Sequence, residues 1–164
     1  MMHGGGLPAV MSHLTVADNV ADFDADGSGS GGGLFAVSLY ENEISADNSI
    51  LAGNRRNTMS EPMDDDIGGK TLVANHSLIQ ANPDGVTILG NHVLTNVDPL
   101  LGVLADNGGG LETHALNAGS PAIDMGSAME AETRQQILVL HEWRDNALAT
   151  VANNYAKKQV TLLS

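Results

Sequence analysis

Gly31-Gly32-Gly33-Leu34-Phe35-Ala36-Val37 repeats Gly4-Gly5-Gly6-Leu7-Pro8-Ala9-Val10 with one change, at an offset of 27 residues. A looser unit recurs around it as Leu14-Thr15-Val16-Ala17-Asp18-Asn19 and Ser49-Ile50-Leu51-Ala52-Gly53-Asn54. It returns as Ser77-Leu78-Ile79-Gln80-Ala81-Asn82 and as Thr87-Ile88-Leu89-Gly90-Asn91. Each copy is a short β-prone run ending in Asn after a small or polar residue. Self-similarity of this period, with short strands and no helical periodicity, predicts a solenoid. In such a stack each turn of chain pairs in parallel with the next, so inward side chains form one aliphatic column. The terminal Asn suits a bend, because it tolerates a left-handed backbone and hydrogen-bonds nearby main chain. Successive Asn side chains are expected to stack as a ladder.

Composition agrees with a thin core. Of 164 residues 42% are hydrophobic but only 3% aromatic, and 19 are glycine, a mix suited to stacked small aliphatics rather than a globule built round large rings. The net charge of −13 excludes nucleic acid and anionic membranes as expected partners, since both recruit Lys and Arg clusters. No basic residue precedes Arg55, so the first third of the chain is wholly acidic at neutral pH. Cations and cationic surfaces fit it better. Without cysteine there is no disulfide framework and no zinc-thiolate site. Met1-Met2-His3-Gly4 lacks a basic n-region and an apolar h-region, so no signal peptide is expected. No apolar run is long enough to span a bilayer. The chain opens in mid-pattern, which suggests a C-terminal fragment of a longer protein or a misassigned start.

Two insertions interrupt the repeats and are expected to project as loops: Asp22 to Ser30, and Arg55 to Asp66 with Pro62 and Asp64-Asp65-Asp66. Asp22, Asp24 and Asp26, followed by Gly27, open like a calcium loop, whose alternating carboxylates supply the oxygen ligands a hard cation requires. Gly33 stands where the twelfth-position acid of an EF-hand belongs. A weak surface Ca²⁺ site and a solvated acidic connector both remain open here. The six histidines, His3, His13, His76, His92, His114 and His141, are scattered and never fall in an HExxH spacing.

A third feature closes the repeats. Asp98-Pro99-Leu100-Leu101-Gly102 leads into Leu104-Ala105-Asp106-Asn107-Gly108-Gly109, then Thr113-His114-Ala115-Leu116, then Gly119-Ser120-Pro121-Ala122-Ile123-Asp124-Met125-Gly126. These blocks read as tight turns at a sheet end. In order and composition they resemble the closing signature of the bacterial choice-of-anchor Q family of right-handed parallel β-helix proteins. The resemblance covers about Gly4 to Gly126. It implies an all-β, pectate-lyase-like solenoid and an extracellular or cell-surface setting, in a family mostly without an assigned activity. His114 belongs to one of its blocks and is expected to support a turn.

Past Gly126 the pattern departs from that family, and only Thr133-Arg134-Gln135 faintly resembles its usual continuation. Ser127 with Glu130 forms a capping box, and Ile137, Leu140, Ala147, Val151 and Tyr155 share one helical arc. The expected organisation is therefore β-helix coils over 1–126, about three to five of them, and a C-terminal helical tail over 127–164. That tail reads as a cap on the solenoid end or as non-native sequence. The expected function is structural or adhesive, with polysaccharide or cell-surface components as partners and no catalysis. Because the first coil looks uncapped, self-association through the open end is expected. The alternative is a fragment of a lyase, hydrolase or epimerase acting on acidic glycans, an analogy of fold rather than of residues.

Overall fold

The computed structural model describes residues 9–37 and 44–127, and every structural statement below concerns those residues. The chain divides into two units, residues 1–126 and 127–164. The helix expected beyond Ser127 falls outside the described residues. The first unit is all-β, with strands β1 (Ala9–Ser12), β2 (Thr15–Ala17), β3 (Val20–Ala21) and β4 (Leu34–Ala36). A second set follows as β5 (Ile44–Asp47), β6 (Ile50–Ala52), β7 (Arg55–Arg56), β8 (Met63–Asp64) and β9 (Ile67–Gly69). The rest are β10 (Thr71–Asn75), β11 (Ser77–Ile79), β12 (Thr87–Leu89), β13 (Val93–Thr95), β14 (Leu101–Asp106) and β15 (Glu112–Leu116).

Strands of successive layers lie side by side, but not at the 27-residue offset of the Gly-Gly-Gly-Leu motif. Ala9 of β1 pairs with Ile44, whereas Leu34 of β4 pairs with Ile67 in a separate sheet, so Gly31–Val37 is not a structural copy of the earlier stretch. One sheet has the order β1-β5-β10-β12 and another β13-β11-β6-β2, all pairs parallel. Two shorter parallel pairs, β3-β7 and β4-β9, repeat the pattern further round each layer. Parallel order without helical crossovers is compatible with a β-helix. The inward residues form one column of aliphatics: Ala46, Leu51, Ile67, Leu72, Ala74, Ile79 and Val86 are all buried. Met11, Val16, Leu34, Ile44, Ile88 and Val93 pack against them at the periphery. Hydrophobic burial is concentrated in the two middle layers.

Between the two long sheets the chain turns a corner on one left-handed residue per layer. His13, Asn48, His76 and His92 have φ of 58°, 49°, 49° and 55° and occupy equivalent places. Only Gly, Asn, Asp and His adopt this region with any frequency among ordinary residues. The rings of His76 and His92 stack with centroids 4.6 Å apart. Three histidines that look scattered in sequence therefore share one column.

Two further expectations about the repeats are corrected. Thr87-Ile88-Leu89 is not a copy of the second-sheet unit, because β12 pairs with β10, and the copy of Ser77–Ile79 is Val93–Thr95. The cause is a tight turn: Asn82 Oδ1 accepts from Val86 N at 2.8 Å and Asn82 Nδ2 donates to Val86 O at 2.9 Å. That turn removes the third side of the layer and returns the chain to the first sheet early. The second correction concerns Arg55 to Asp66, expected as a projecting loop. Arg55-Arg56 pairs with β3, Met63-Asp64 turns back on it, and Asp65 and Asp66 are each 0% exposed.

The Asn ladder exists as one rung. Asn19 Nδ2 donates to Asn54 Oδ1 at 2.9 Å, but Asn82 closes its own turn instead of continuing the stack. A different polar ladder runs at the corner: Asn75 Nδ2 donates to Asp47 Oδ1 at 2.8 Å, and Asn91 N donates to Asn75 Oδ1 at 3.0 Å. The triple glycine at 31–33 has a steric cause. A Cβ at Gly32 would lie 2.3 Å from the Arg55 carbonyl oxygen of the adjoining layer.

Candidate functional site

The Asp22–Ser30 loop leaves β3 and folds back on Asp22. Asp22 Oδ1 accepts from Asp26 N at 3.1 Å and Oδ2 from Gly27 N at 2.8 Å, while Ala25 N donates to Asp22 O at 3.0 Å. Gly27, at φ +86°, makes the reversal. One carboxylate oxygen from each of Asp22, Asp24 and Asp26 lies within 4.8 Å of the others, so the three acids do converge. Asp26 Oδ1 also accepts from Ser28 N at 2.9 Å and from Ser28 Oγ. The Ser28 hydroxyl and amide hold the Asp26 carboxyl below the usual carboxylate range, so it stays ionised. Asp22 is half-buried and committed to backbone; Asp24 and Asp26 are exposed.

The loop 57–62 lies beside this one. Asn57 Nδ2 donates to Phe23 O at 3.3 Å, and Met59 rests on Gly27, whose added Cβ would stand 3.2 Å from Met59 Cε. Phe23 and Met59 are 86% and 82% exposed. Two neighbouring insertions thus present large apolar side chains beside a group of carboxylates.

Inboard of these loops, Asp65 and Asp66 tie three layers together. Asp65 Oδ2 accepts from Gly31 N at 2.9 Å and lies 3.5 Å from Arg56 Nε, while its Oδ1 has no hydrogen-bond partner. Arg56 also grips Asp84 with two hydrogen bonds of 2.8 Å. That bidentate pair raises the pKa of Arg56 further. Burial pushes both the Asp65 and the Asp66 carboxyl up, and the N–H groups they accept from pull back less strongly. These acids are braces. Their run with Asp64 gave no sequence signal separating them from solvated charge.

The second candidate is a groove of about 370 Å³ between the outer face of the second sheet and the β14–β15 hairpin. Ala17, Ala52 and Gly53 form a floor of small residues, and Pro99, Leu101 and Val103 belong to the opposite wall. Asp18, Gln80, Asp98 and His114 supply its polar groups. His114 Nδ1 donates to Gly102 O at 2.8 Å across the irregular part of the hairpin, between Leu101 and Leu104. That fixes the ring against the neighbouring strand of the hairpin. Further along, His76 Nδ1 donates to Met125 O at 3.0 Å, clasping the closing segment to the corner.

No family model matches the chain, and comparison with curated proteins and with solved structures gives no match. No helix among the described residues is long and apolar enough to cross a membrane.

Proposed function

We propose that this chain is a right-handed parallel β-helix module of a secreted or surface-attached bacterial protein, akin to the choice-of-anchor Q family, which acts by presenting loops from a stiff stack. The supporting observation is the meeting of the Asp22–Ser30 and 57–62 loops, where Phe23 and Met59 stand exposed beside Asp22, Asp24 and Asp26. Apolar side chains ringed by charge are a common composition for recognition surfaces, and loops held by a regular scaffold are where binding concentrates. The binding partner on this reading is a polysaccharide or another cell-surface component. Self-association through the first layer accompanies it, because among the described residues β1 and β2 stand at the edges of their sheets.

The test is a binding and turnover screen of the chain on acidic and neutral polysaccharides, with and without Ca²⁺. Binding without turnover, weakened by Phe23→Ser and Met59→Ser, supports presentation. Bond cleavage abolished by Asp→Asn changes would overturn it in favour of the lyase, hydrolase or epimerase reading.

Calcium at Asp22, Asp24 and Asp26 belongs to the same proposal. The donors suit a hard cation: three carboxylates within reach, one of them held ionised by Ser28. With no twelfth-position acid, the expected affinity is that of weak extracellular modules, on the order of 10⁻⁴–10⁻³ M.

A further inference from the structure

We infer that the groove between the second sheet and the β14–β15 hairpin binds an alkylammonium group. Its shape and its balance of donors and acceptors both point there. The floor is made of small residues, Ala17, Ala52 and Gly53, so a ligand can approach the sheet backbone closely. Gly53 has φ +69°, and a Cβ added there would stand 3.0 Å from Asp18 Oδ1, so the glycine keeps open the space beside that carboxylate.

Of the polar groups, Asp18 makes no hydrogen bond or ion pair with any described residue, although its carboxylate lies at the groove. Asp98 uses Oδ1 to accept from Leu100 N at 2.8 Å and has a second oxygen besides. His114 spends its Nδ1–H on Gly102 O, so that proton is not offered to a ligand. Gln80 spends Oε1 on Gly53 N at 3.1 Å, leaving an amide as the groove's one side-chain donor.

Two carboxylates against one amide make a site short of protons. No Lys or Arg lines it. An anionic sugar would meet repulsion from Asp18 and Asp98. An ammonium group supplies three donors and the missing positive charge. Its alkyl stem fits the apolar wall of Leu101, Val103 and Leu104, backed by the buried Pro99, as lysine stems cover apolar surface elsewhere. The groove volume, at the small end for ligand sites, suits one such side chain or a small amine. This inference does not depend on the family resemblance or on the loops at Phe23 and Met59.

The experiment is a titration of the full chain with Nα-acetyl-lysine methylamide, followed by amide chemical shifts at Gly53 and Gly102. Its Nε-acetylated form, nearly the same shape without the charge, is the control, and n-butylamine is the second arm. Binding by both amines, with a Kd for the acetylated form at least about fivefold weaker, is expected from the loss of partly exposed ion pairs. Similar affinity for butylamine and the lysine amide makes free amines the source; a clear preference for the latter makes it a lysine side chain. Asp18→Asn and Asp98→Asn should each weaken binding by about three- to fivefold, whereas Asp106→Asn on the hairpin tip should not. The inference is overturned if the acetylated compound binds as well as its parent. It is equally overturned if Asp106→Asn weakens binding as much as the groove variants, which would mean diffuse attraction to an acidic chain. Dispersed amide spectra of each variant separate loss of binding from loss of fold.

Discussion

Asp66 closes on Asn54 through a single carboxylate oxygen. Its Oδ1 accepts from Asn54 N at 2.9 Å and from Asn54 Nδ2 at 2.7 Å, while Oδ2 takes Ala81 N from the next layer at 2.6 Å. Asn54 in turn donates from Nδ2 to Val16 O at 2.8 Å, and its Oδ1 accepts from Asn19 Nδ2 at 2.9 Å. The Asp66–Asn54 pair therefore joins three layers at one buried point where the regular Asn ladder stops.

Asp66→Ala should cost about 3 kcal/mol or more, because Asn54 N, Asn54 Nδ2 and the half-buried Ala81 N all lose a charged acceptor. Chemical denaturation measures it. In a double-mutant cycle with Asn54→Ala the coupling should exceed about 1 kcal/mol, as expected for residues in one network. Additive single effects would mean that each residue only fills space.

Asp65 and Asp66 both sit above the ordinary carboxyl value of 3.8, for burial disfavours their charge. With folded-state values above the unfolded one, the stability they contribute is full below 3.8 and is lost as pH rises through the folded-state values. The melting temperature should therefore rise as pH is lowered from 7 towards 4. Asp65→Asn should flatten part of that rise while staying within about 1 kcal/mol of the parent at pH 7. It keeps an acceptor for Gly31 N and removes a buried charge with one unpartnered oxygen. An unchanged pH slope in Asp65→Asn would assign the rise to the chain's net charge alone.

At the corner between the long sheets, Asn48 has φ 49°. Asn48→Val should cost about 1–2 kcal/mol, the penalty of a β-branched residue in the left-handed region, whereas Asn48→Gly should lie within about 1 kcal/mol of the parent. Thermal denaturation of both variants compares them directly. Equal destabilisation by the two would show that the Asn side chain, not the backbone angle, is what the corner needs.

Calcium in the millimolar range should raise the melting temperature by mass action at Asp22, Asp24 and Asp26, and Asp24→Asn should remove most of that rise. Asp24 is the choice because Asp22 holds the loop through Asp26 N and Gly27 N, so changing it would confound binding with folding. Magnesium at equal ionic strength should do less. If magnesium matches calcium, the loop is a solvated connector and the effect is screening.

Much of the architecture was readable from the residues alone. Short β-prone units ending in Asn, scarce aromatics and abundant glycine dictate parallel stacking of thin layers, because a period-2 run of small aliphatics can bury only one face per strand. The convergence of Asp22, Asp24 and Asp26 was likewise legible, since Asp-rich turns with Gly at the reversal fold locally. What the sequence could not give was anything set by which layer lies against which. Thr87–Leu89 and Val93–Thr95 are both plausible copies of Ser77–Ile79, and only the tight Asn82–Val86 turn decides between them. Asp64, Asp65 and Asp66 are identical in composition, yet one is solvated and two are enclosed, because Gly31 and Ala81 arrive from the adjoining layers, and Asn54 from earlier in the same layer, with their N–H groups. The histidine column and the groove beside Asp18, Asp98 and His114 are of the same kind: their members are far apart in the chain, and tertiary pairing alone brings them together.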